Sequence, residues 1–202
     1  FLASEVRAPA DIVALSLSSE FAARAALARP DLVRSLALIS PTGFSHVPKS
    51  GAPAFLRALT VPPFGQAFHD LLVTQWSIRY YLKKSFTGPV DERLARYAYD
   101  TAHQPGARHA PLQFLAGVPF TQSVLHDVYR NVAVPALVLY DCDAFVDFGR
   151  LDMLVRARDS WRAERIPNTR GMPHFDSLEA TAAALERFWQ ESAVAGGRSA
   201  VH

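Results

Sequence analysis

Several things that this sequence lacks limit what the protein can be. It has one cysteine, Cys142, which excludes an internal disulfide framework and a cysteine-rich metal site. No apolar run is long enough to predict a membrane span. Lys and Arg do not cluster and the net charge is only +2, so we expect no nucleic-acid partner. A glycine-rich phosphate loop and metal-ligand spacing are both absent, so we expect no cofactor and no metal.

The composition is typical of a folded domain with a substantial core. Of 202 residues, half are hydrophobic and 20% are charged. The chain begins at Phe1 rather than Met, and residues 1–7 resemble the end of a surface helix more than a signal peptide. Targeting therefore stays open, with a cytoplasmic location favoured, and the oligomeric state is not predicted.

A strand, a tight turn and a helix stand near the start of the chain. Residues 12–15 form an apolar, β-branched run that predicts a buried strand, and the alanine-rich residues 21–28 predict a helix. Ser16 lies between them. Such a turn exposes a serine hydroxyl beside the N–H groups of the helix, usually within the pattern Gly-x-Ser-x-Gly. Here the flanking residues are Ala14 and Ser18, so this stretch alone leaves open a chance serine or a nucleophile.

The apolar runs that follow predict a mostly parallel sheet with flanking helices, which is an α/β fold. Residues 31–39 predict a second strand and residues 134–140 a third. After them we expect a helix at 151–161, an extended piece at 163–167 and an amphipathic helix at 178–192.

Residues 45–125 have a different character, because prolines and glycines separate short helical pieces that are rich in aromatics. We expect helices at 55–59, 66–86, 91–103 and 112–125. The aromatic side chains either pack these helices together or line an apolar substrate pocket. The sequence does not distinguish the two roles for single residues.

Three residue types of nucleophilic catalysis follow predicted strands in the order Ser16, Asp143, His174. A serine needs an imidazole to take its proton, and the imidazole needs a carboxylate to orient it. His174 is the histidine in a loop between the last extended piece and the last helix. Asp141 is an alternative to Asp143 as the acid, and two further aspartates lie close by, Asp147 and Asp152.

Three segments resemble the α/β-hydrolase superfamily. Ser16 and the run Ala-Arg-Pro-Asp-Leu-Val-Arg-Ser-Leu-Ala-Leu-Ile-Ser-Pro-Thr-Gly-Phe (28–44) are similar to its nucleophile turn and the strand behind it. Val-Pro-Ala-Leu-Val-Leu-Tyr-Asp-Cys-Asp (134–143) resembles its acid strand. Ile-Pro-Asn-Thr-Arg-Gly-Met-Pro-His-Phe (166–175) resembles its histidine loop. The resemblance implies an α/β-hydrolase fold with an inserted helical lid.

The resemblance also implies residue roles. Ser16 would be the nucleophile, His174 the general base and acid, and Asp143 the carboxylate that orients it. The Leu17 N–H would be one oxyanion donor. In this scheme residues 1–44 and 126–192 form the hydrolase core, residues 45–125 the lid, and residues 193–202 a flexible tail.

Two departures from the family pattern qualify this scheme. Ala14 and Ser18 replace the flanking glycines, which adds side chains to a crowded turn. The family's first strands, and the loop with the second oxyanion donor, would precede Phe1. We therefore expect the chain to be a fragment. Two lesser expectations concern neighbours of these residues: Ser18 and Ser19 cap the helix through their hydroxyls, and Cys142 is a buried small hydrophobe.

The sequence thus predicts a cofactor-free serine hydrolase. It would cleave a carboxylic ester, or a related small acyl compound with an apolar portion, through an acyl-enzyme. Carbon–carbon bond hydrolases, perhydrolases and acyltransferases share the same triad, so the reaction stays open within this group. The alternative is an α/β-hydrolase-like binding protein with weak or lost activity, suggested by the missing glycines.

Overall fold

Four parallel strands form the sheet in the part of the chain that the structure describes. The structure is a computed structural model, and it describes residues 1–45 and 64–199. The strands lie in the order β1-β2-β3-β4, each parallel to its neighbour. Their bounds are Ala10–Leu15 (β1), Val33–Ile39 (β2), Ala136–Tyr140 (β3) and Trp161–Arg165 (β4).

The helices fall before, between and after these strands. Leu2–Val6 forms a π-helical turn, and Pro30–Leu32 and Tyr129–Asn131 form short 3₁₀ turns. Within the described ranges, no helix is both long and apolar enough to cross a membrane. The α-helices are α1 (Ser18–Ala28), α2 (Phe64–Leu72), α3 (Gln75–Ser85), α4 (Glu92–Ala102), α5 (His109–Leu115), α6 (Val124–Asp127), α7 (Leu151–Ala157), α8 (Pro173–Asp176) and α9 (Leu178–Ser199).

The strand register brings the carboxyl ends of the strands to one edge of the sheet. Leu15 pairs with Ile39, and Ile39 pairs with Leu139. On the other side of β3, Tyr140 pairs with Arg165. Residues that follow the strands therefore meet along this edge, which is where open α/β sheets bind their ligands.

Both faces of the sheet are covered, which explains why its strands are apolar almost throughout. Successive side chains of a strand point to opposite faces. Leu38 and Val138 belong to one buried cluster, to which α1 and α7 also contribute. Ile39 and Leu139 belong to a second cluster with Phe188 of α9 and other apolar residues. Burial on both faces is the usual condition of parallel strands.

The chain divides into two compact units. The first comprises Phe1–Pro48 and Ser123–His202 and contains the sheet, and the second comprises Lys49–Gln122. Within the second unit, α3 packs against α4, and α2 contacts both α3 and α5. The predicted lid boundaries, 45 and 125, lie within a few residues of this division, while its role as a lid stays a prediction. The helix predicted at 55–59 lies outside the described residues.

Several predicted boundaries differ from those observed. The helix predicted at 66–86 is two helices, because Thr74 interrupts it and its hydroxyl accepts the Ser77 N–H at 3.3 Å as an N-cap. The helix predicted at 112–125 is likewise divided into α5 and α6. The helix predicted at 151–161 ends at Ala157, and buried Trp161 begins β4 instead. The last helix continues to Ser199, past residue 193, where a flexible tail was predicted to begin.

Candidate active site

Ser16 occupies a sharp turn between β1 and α1, as the sequence predicts. Its φ angle is +52°, in the left-handed region that residues with a Cβ rarely adopt. Two backbone hydrogen bonds hold it there: its N–H donates to the Ile39 carbonyl at 2.8 Å, and its carbonyl accepts the Ser19 N–H at 3.1 Å. A strained conformation fixed on both sides is typical of functional positions.

The absence of flanking glycines does not prevent this turn. Ala14 is buried and Ser18 is exposed, so each position accommodates its small side chain. The predicted capping by Ser18 and Ser19 is wrong, because Leu17 is the N-cap and no side-chain hydroxyl caps the helix. The Ser19 hydroxyl instead donates to the Ala14 carbonyl at 3.4 Å, which ties the helix back to the strand.

The Leu17 N–H lies at the first turn of α1, directly after Ser16. In this turn the Ser19 N–H donates to the Ser16 carbonyl, and the Glu20 N–H donates to the Leu17 carbonyl. Among the backbone hydrogen bonds described there, none has the Leu17 N–H as its donor. The first N–H groups of a helix have no partner within the helix and favour negative charge. The Leu17 N–H is therefore suitably placed for the predicted oxyanion role, which stays a prediction.

A buried polar cluster fixes α1 against the end of β2. The Glu20 side chain is buried, and the Thr42 hydroxyl donates to its carboxylate. The Thr42 carbonyl accepts the Tyr129 hydroxyl at 3.0 Å. Burial raises the pKa of Tyr129 well above its usual value, and the charge of Glu20 adds to this rise. The sequence analysis did not identify this cluster, although a lone carboxylate in an alanine-rich helix, four residues after Ser16, is unusual.

Asp143 lies in the loop after β3, and its carboxylate faces the loop that leads to His174. One oxygen, Oδ1, accepts the N–H groups of Phe145 at 2.7 Å and Val146 at 3.2 Å. The other, Oδ2, lies 2.7 Å from the position that a Cβ on Gly171 would occupy. Only a glycine at residue 171 lets the histidine loop approach this carboxylate so closely.

Asp141, the competing acid, is bound by a side chain and a backbone N–H of later segments. Its side chain is buried, and one carboxylate oxygen accepts the Arg165 Nε–H at 2.5 Å. The other oxygen accepts the Thr169 N–H at 3.1 Å. These contacts join the end of β3 to β4 and to the start of the histidine loop.

Cys142, which lies between Asp141 and Asp143, is exposed, so the prediction that it is buried is wrong.

His174 lies in α8, the short helix that ends the loop after β4. Its Nδ1 atom is buried and has no hydrogen-bond partner among the residues that the structure describes. The Asp143 carboxylate therefore lies beside the histidine loop, at Gly171, but His174 Nδ1 does not form a hydrogen bond with it. Burial lowers the pKa of His174 below its usual value, and the charge of Asp176 partly opposes this.

The lowered pKa of His174 predicts the pH dependence of any reaction that uses its neutral imidazole as a base. A depressed pKa keeps the ring neutral in more acidic solution. The midpoint of the acidic limb in the pH profile of kcat/KM should therefore lie below the ordinary histidine pKa of about 6.5. Asp176→Asn removes the opposing charge and should move the limb lower still. NMR titration of the His174 ring gives an independent measurement, and a limb above 6.5, or a rise in the variant, would contradict the assignment.

Ser40 is a second serine in the left-handed region, with φ +43°. It follows β2 as Ser16 follows β1, and its N–H donates to the Leu139 carbonyl at 2.9 Å. Its side chain is only 1% exposed, so a substrate cannot reach its hydroxyl. Ser16 is half-buried and stands before a helix, and it is therefore the better candidate nucleophile.

Among the described residues, no group of three or more His, Cys, Asp or Glu side chains is arranged to hold a metal ion. No family model and no curated protein matches the sequence.

Solved structures match the fold at low sequence identity. A serine hydrolase, CCSP0084, from the polyaromatic hydrocarbon-degrading bacterium Cycloclasticus zankles is 12% identical with a TM-score of 0.67, covering 94% of this chain and 66% of that one. Cfl2 from Burkholderia cenocepacia is 16% identical with a TM-score of 0.72, covering 93% and 67%. The 2-hydroxy-6-oxo-6-phenylhexa-2,4-dienoate hydrolase of Rhodococcus sp. strain RHA1 is 13% identical with a TM-score of 0.61, covering 90% and 64%.

These comparisons confirm the predicted fold class. The chain has the α/β-hydrolase fold, with a mostly parallel sheet and flanking helices. It spans about two thirds of the length of the structures that it matches.

Proposed function

We propose that the protein is a serine hydrolase that cleaves a carboxylic ester, or a related acyl compound, through an acyl-enzyme. The left-handed backbone of Ser16 at the β1–α1 turn carries this proposal. A serine held at φ +52° costs about 1–2 kcal/mol relative to an ordinary turn residue. Such a turn would place a nucleophilic hydroxyl at the carboxyl edge of the sheet, and strained residues of this kind occur mainly at functional sites.

In the proposed reaction, Ser16 Oγ attacks the carbonyl carbon while His174 Nε2 accepts its proton. The His174 imidazolium then protonates the leaving alcohol, and the acyl group stays on Ser16. Water attacks the acyl-enzyme, giving its proton to His174, and the acid leaves as Ser16 regains a proton. The Leu17 N–H would stabilise the oxyanion of both tetrahedral intermediates. Asp143 would bind His174 Nδ1 when the substrate is present, since catalytic hydrogen bonds often tighten only in the complex.

Two aromatic side chains next to the proposed catalytic residues support the proposal that the substrate has an apolar portion. Phe145, two residues after Asp143, and Phe175, directly after His174, are both more than two fifths exposed. The Phe175 ring lies 4.8 Å from the His174 ring, centroid to centroid. Aromatic walls with a few polar groups are typical of small-molecule sites.

A fluorophosphonate probe tests the proposal, because it reacts covalently with an activated serine. We expect labelling of the folded protein, together with hydrolysis of p-nitrophenyl esters. Cleavage of a β-diketone would indicate carbon–carbon bond hydrolysis. Peracid formation in the presence of hydrogen peroxide would indicate perhydrolysis. A folded protein that the probe does not label would instead favour the alternative, a binding protein with the hydrolase fold.

The two aspartates should respond differently to removal of their charge. Asp143→Asn should lower kcat by about 10⁴-fold while the thermal midpoint changes little, since an amide no longer stabilises the imidazolium. Asp141→Asn should lower the thermal midpoint, because it removes the charge that pairs with Arg165. Steady-state kinetics and thermal unfolding of both variants make the comparison. Full activity in Asp143→Asn, with loss of activity in folded Asp141→Asn, would transfer the acid role to Asp141.

A further inference from the structure

Helix α3 presents a continuous face of aromatic rings to solvent. Trp76 is 76% exposed, and Tyr80 and Tyr81 are nearly half exposed. The Trp76 and Tyr80 rings stack with centroids 5.5 Å apart, and the Tyr81 ring meets Tyr80 edge-on at 5.4 Å. Lys84 extends the row, with its Nζ 4.5 Å from the Tyr80 ring centroid. We call Trp76, Tyr80, Tyr81 and Lys84 the aromatic face.

Exposed rings of this size normally pack against something. A tryptophan buries a large apolar area in a core or an interface, and contiguous exposed apolar patches mark interaction sites. The spacing of Trp76, Tyr80 and Lys84 at every fourth residue places them in one line along the helix. That line is about 12 Å long, given a rise of about 1.5 Å per residue. The aromatic face is therefore a narrow strip along the exposed side of the helix.

The charged side chains of helix α3 itself are all basic. Helix α3 contains Arg79, Lys83 and Lys84 and no acidic residue. Arg79 pairs with Glu92 of the next helix, with two bonds of 2.5 and 2.7 Å. The Lys83 ammonium donates only to a backbone carbonyl, that of Gly88, at 2.7 Å. Among the described residues, no carboxylate pairs with Lys83 or Lys84, so both lysines place a positive charge beside the aromatic rings.

We propose that the aromatic face binds the surface of a membrane that contains anionic lipids. Trp and Tyr are enriched at the level of lipid headgroups, because each has an apolar ring and a polar N–H or O–H group. Lysines near such a surface are attracted to anionic headgroups, by about 1 kcal/mol each. A convex strip with positive charge suits an anionic membrane surface better than a groove in a protein. This inference is independent of the proposed catalytic reaction.

Sedimentation of the full chain with lipid vesicles tests the proposal. Vesicles of phosphatidylcholine alone are compared with vesicles of phosphatidylcholine mixed with phosphatidylglycerol. We expect binding to the mixed vesicles, a weakening with added salt, and a blue shift of the tryptophan fluorescence. Lys83→Gln/Lys84→Gln should weaken binding about 30-fold, from about 1 kcal/mol per lysine. Trp76→Ala/Tyr80→Ser should abolish it. Both variants change exposed side chains, and circular dichroism checks that they stay folded.

Matched controls come from the other unit of the chain. Arg7→Gln/Arg156→Gln removes the same net charge from two exposed arginines, and Phe21→Ser removes an exposed aromatic ring of α1. Both controls should bind vesicles as the unaltered protein does. The proposal is overturned if the protein does not sediment with anionic vesicles, or if the controls weaken binding as much as the aromatic-face variants. Dimerisation or binding of an acidic protein through this face, without vesicle binding, overturns it equally.

Discussion

Ser16→Ala should abolish both turnover and fluorophosphonate labelling. Without the hydroxyl no acyl-enzyme forms, and loss of a serine nucleophile lowers kcat by a factor on the order of 10⁶. The substitution should leave the fold intact, because the groups that hold the turn are backbone N–H and carbonyl groups, which alanine keeps. Ester hydrolysis and probe labelling, measured beside thermal unfolding, give the result.

Ser18→Ala is the matched control for this experiment. Ser18 is an exposed serine two residues along the same turn, and its hydroxyl does not cap the helix. The control should retain labelling and most of the activity. Labelling that persists in Ser16→Ala would show that another serine reacts, and the nucleophile assignment would then be wrong.

Gly43→Ala should cause the largest loss of stability. Gly43 has φ +99°, and a Cβ there would lie 2.0 Å from Cγ1 of buried Val124 and 3.3 Å from the Tyr129 ring. Left-handed strain costs about 1–2 kcal/mol, and overpacking a core costs about 1–3 kcal/mol. We therefore expect the free energy of unfolding to fall by about 2–5 kcal/mol, measured by denaturant unfolding.

Two further variants separate steric overlap from backbone strain. Gly106→Ala is the control, because Gly106 has φ +81° but nothing within 4 Å of a Cβ, so we expect only the strain. In Gly43→Ala/Val124→Ala the overlapping methyl group is gone, and the double variant should lose less stability than the sum of the single variants. Additive losses, or a Gly43→Ala protein as stable as the original, would contradict the geometry.

The sheet could be predicted from sequence because parallel strands buried on both faces are continuous apolar runs. The prediction for β3 is two residues too long at its start, and that for β2 includes the last two residues of the Pro30–Leu32 turn. The last strand was harder, because Trp161–Arg165 mixes apolar and charged residues and lies at one edge of the described sheet. Its first residue was therefore assigned to the preceding helix.

The sequence predicts the local geometry of the candidate site but not its long-range contacts. The turn at Ser16 depends on local chain geometry, and the apolar run before it and the alanine-rich run after it predict a turn there. The choice between Asp141 and Asp143 depends on partners about 24 to 28 residues away, Arg165 and Thr169 among them, which no local pattern reveals. The buried contact between Glu20 and Thr42 escaped prediction for the same reason.

Cys142 gives the molecule a practical property. It is the only cysteine of the chain and it is exposed. A maleimide dye or a nitroxide label would therefore attach at one point, between Asp141 and Asp143, and would report on a molecule bound near these residues. The same thiol will join two molecules through a disulfide in air-oxidised buffer, so a purified sample needs a reductant before its oligomeric state is measured.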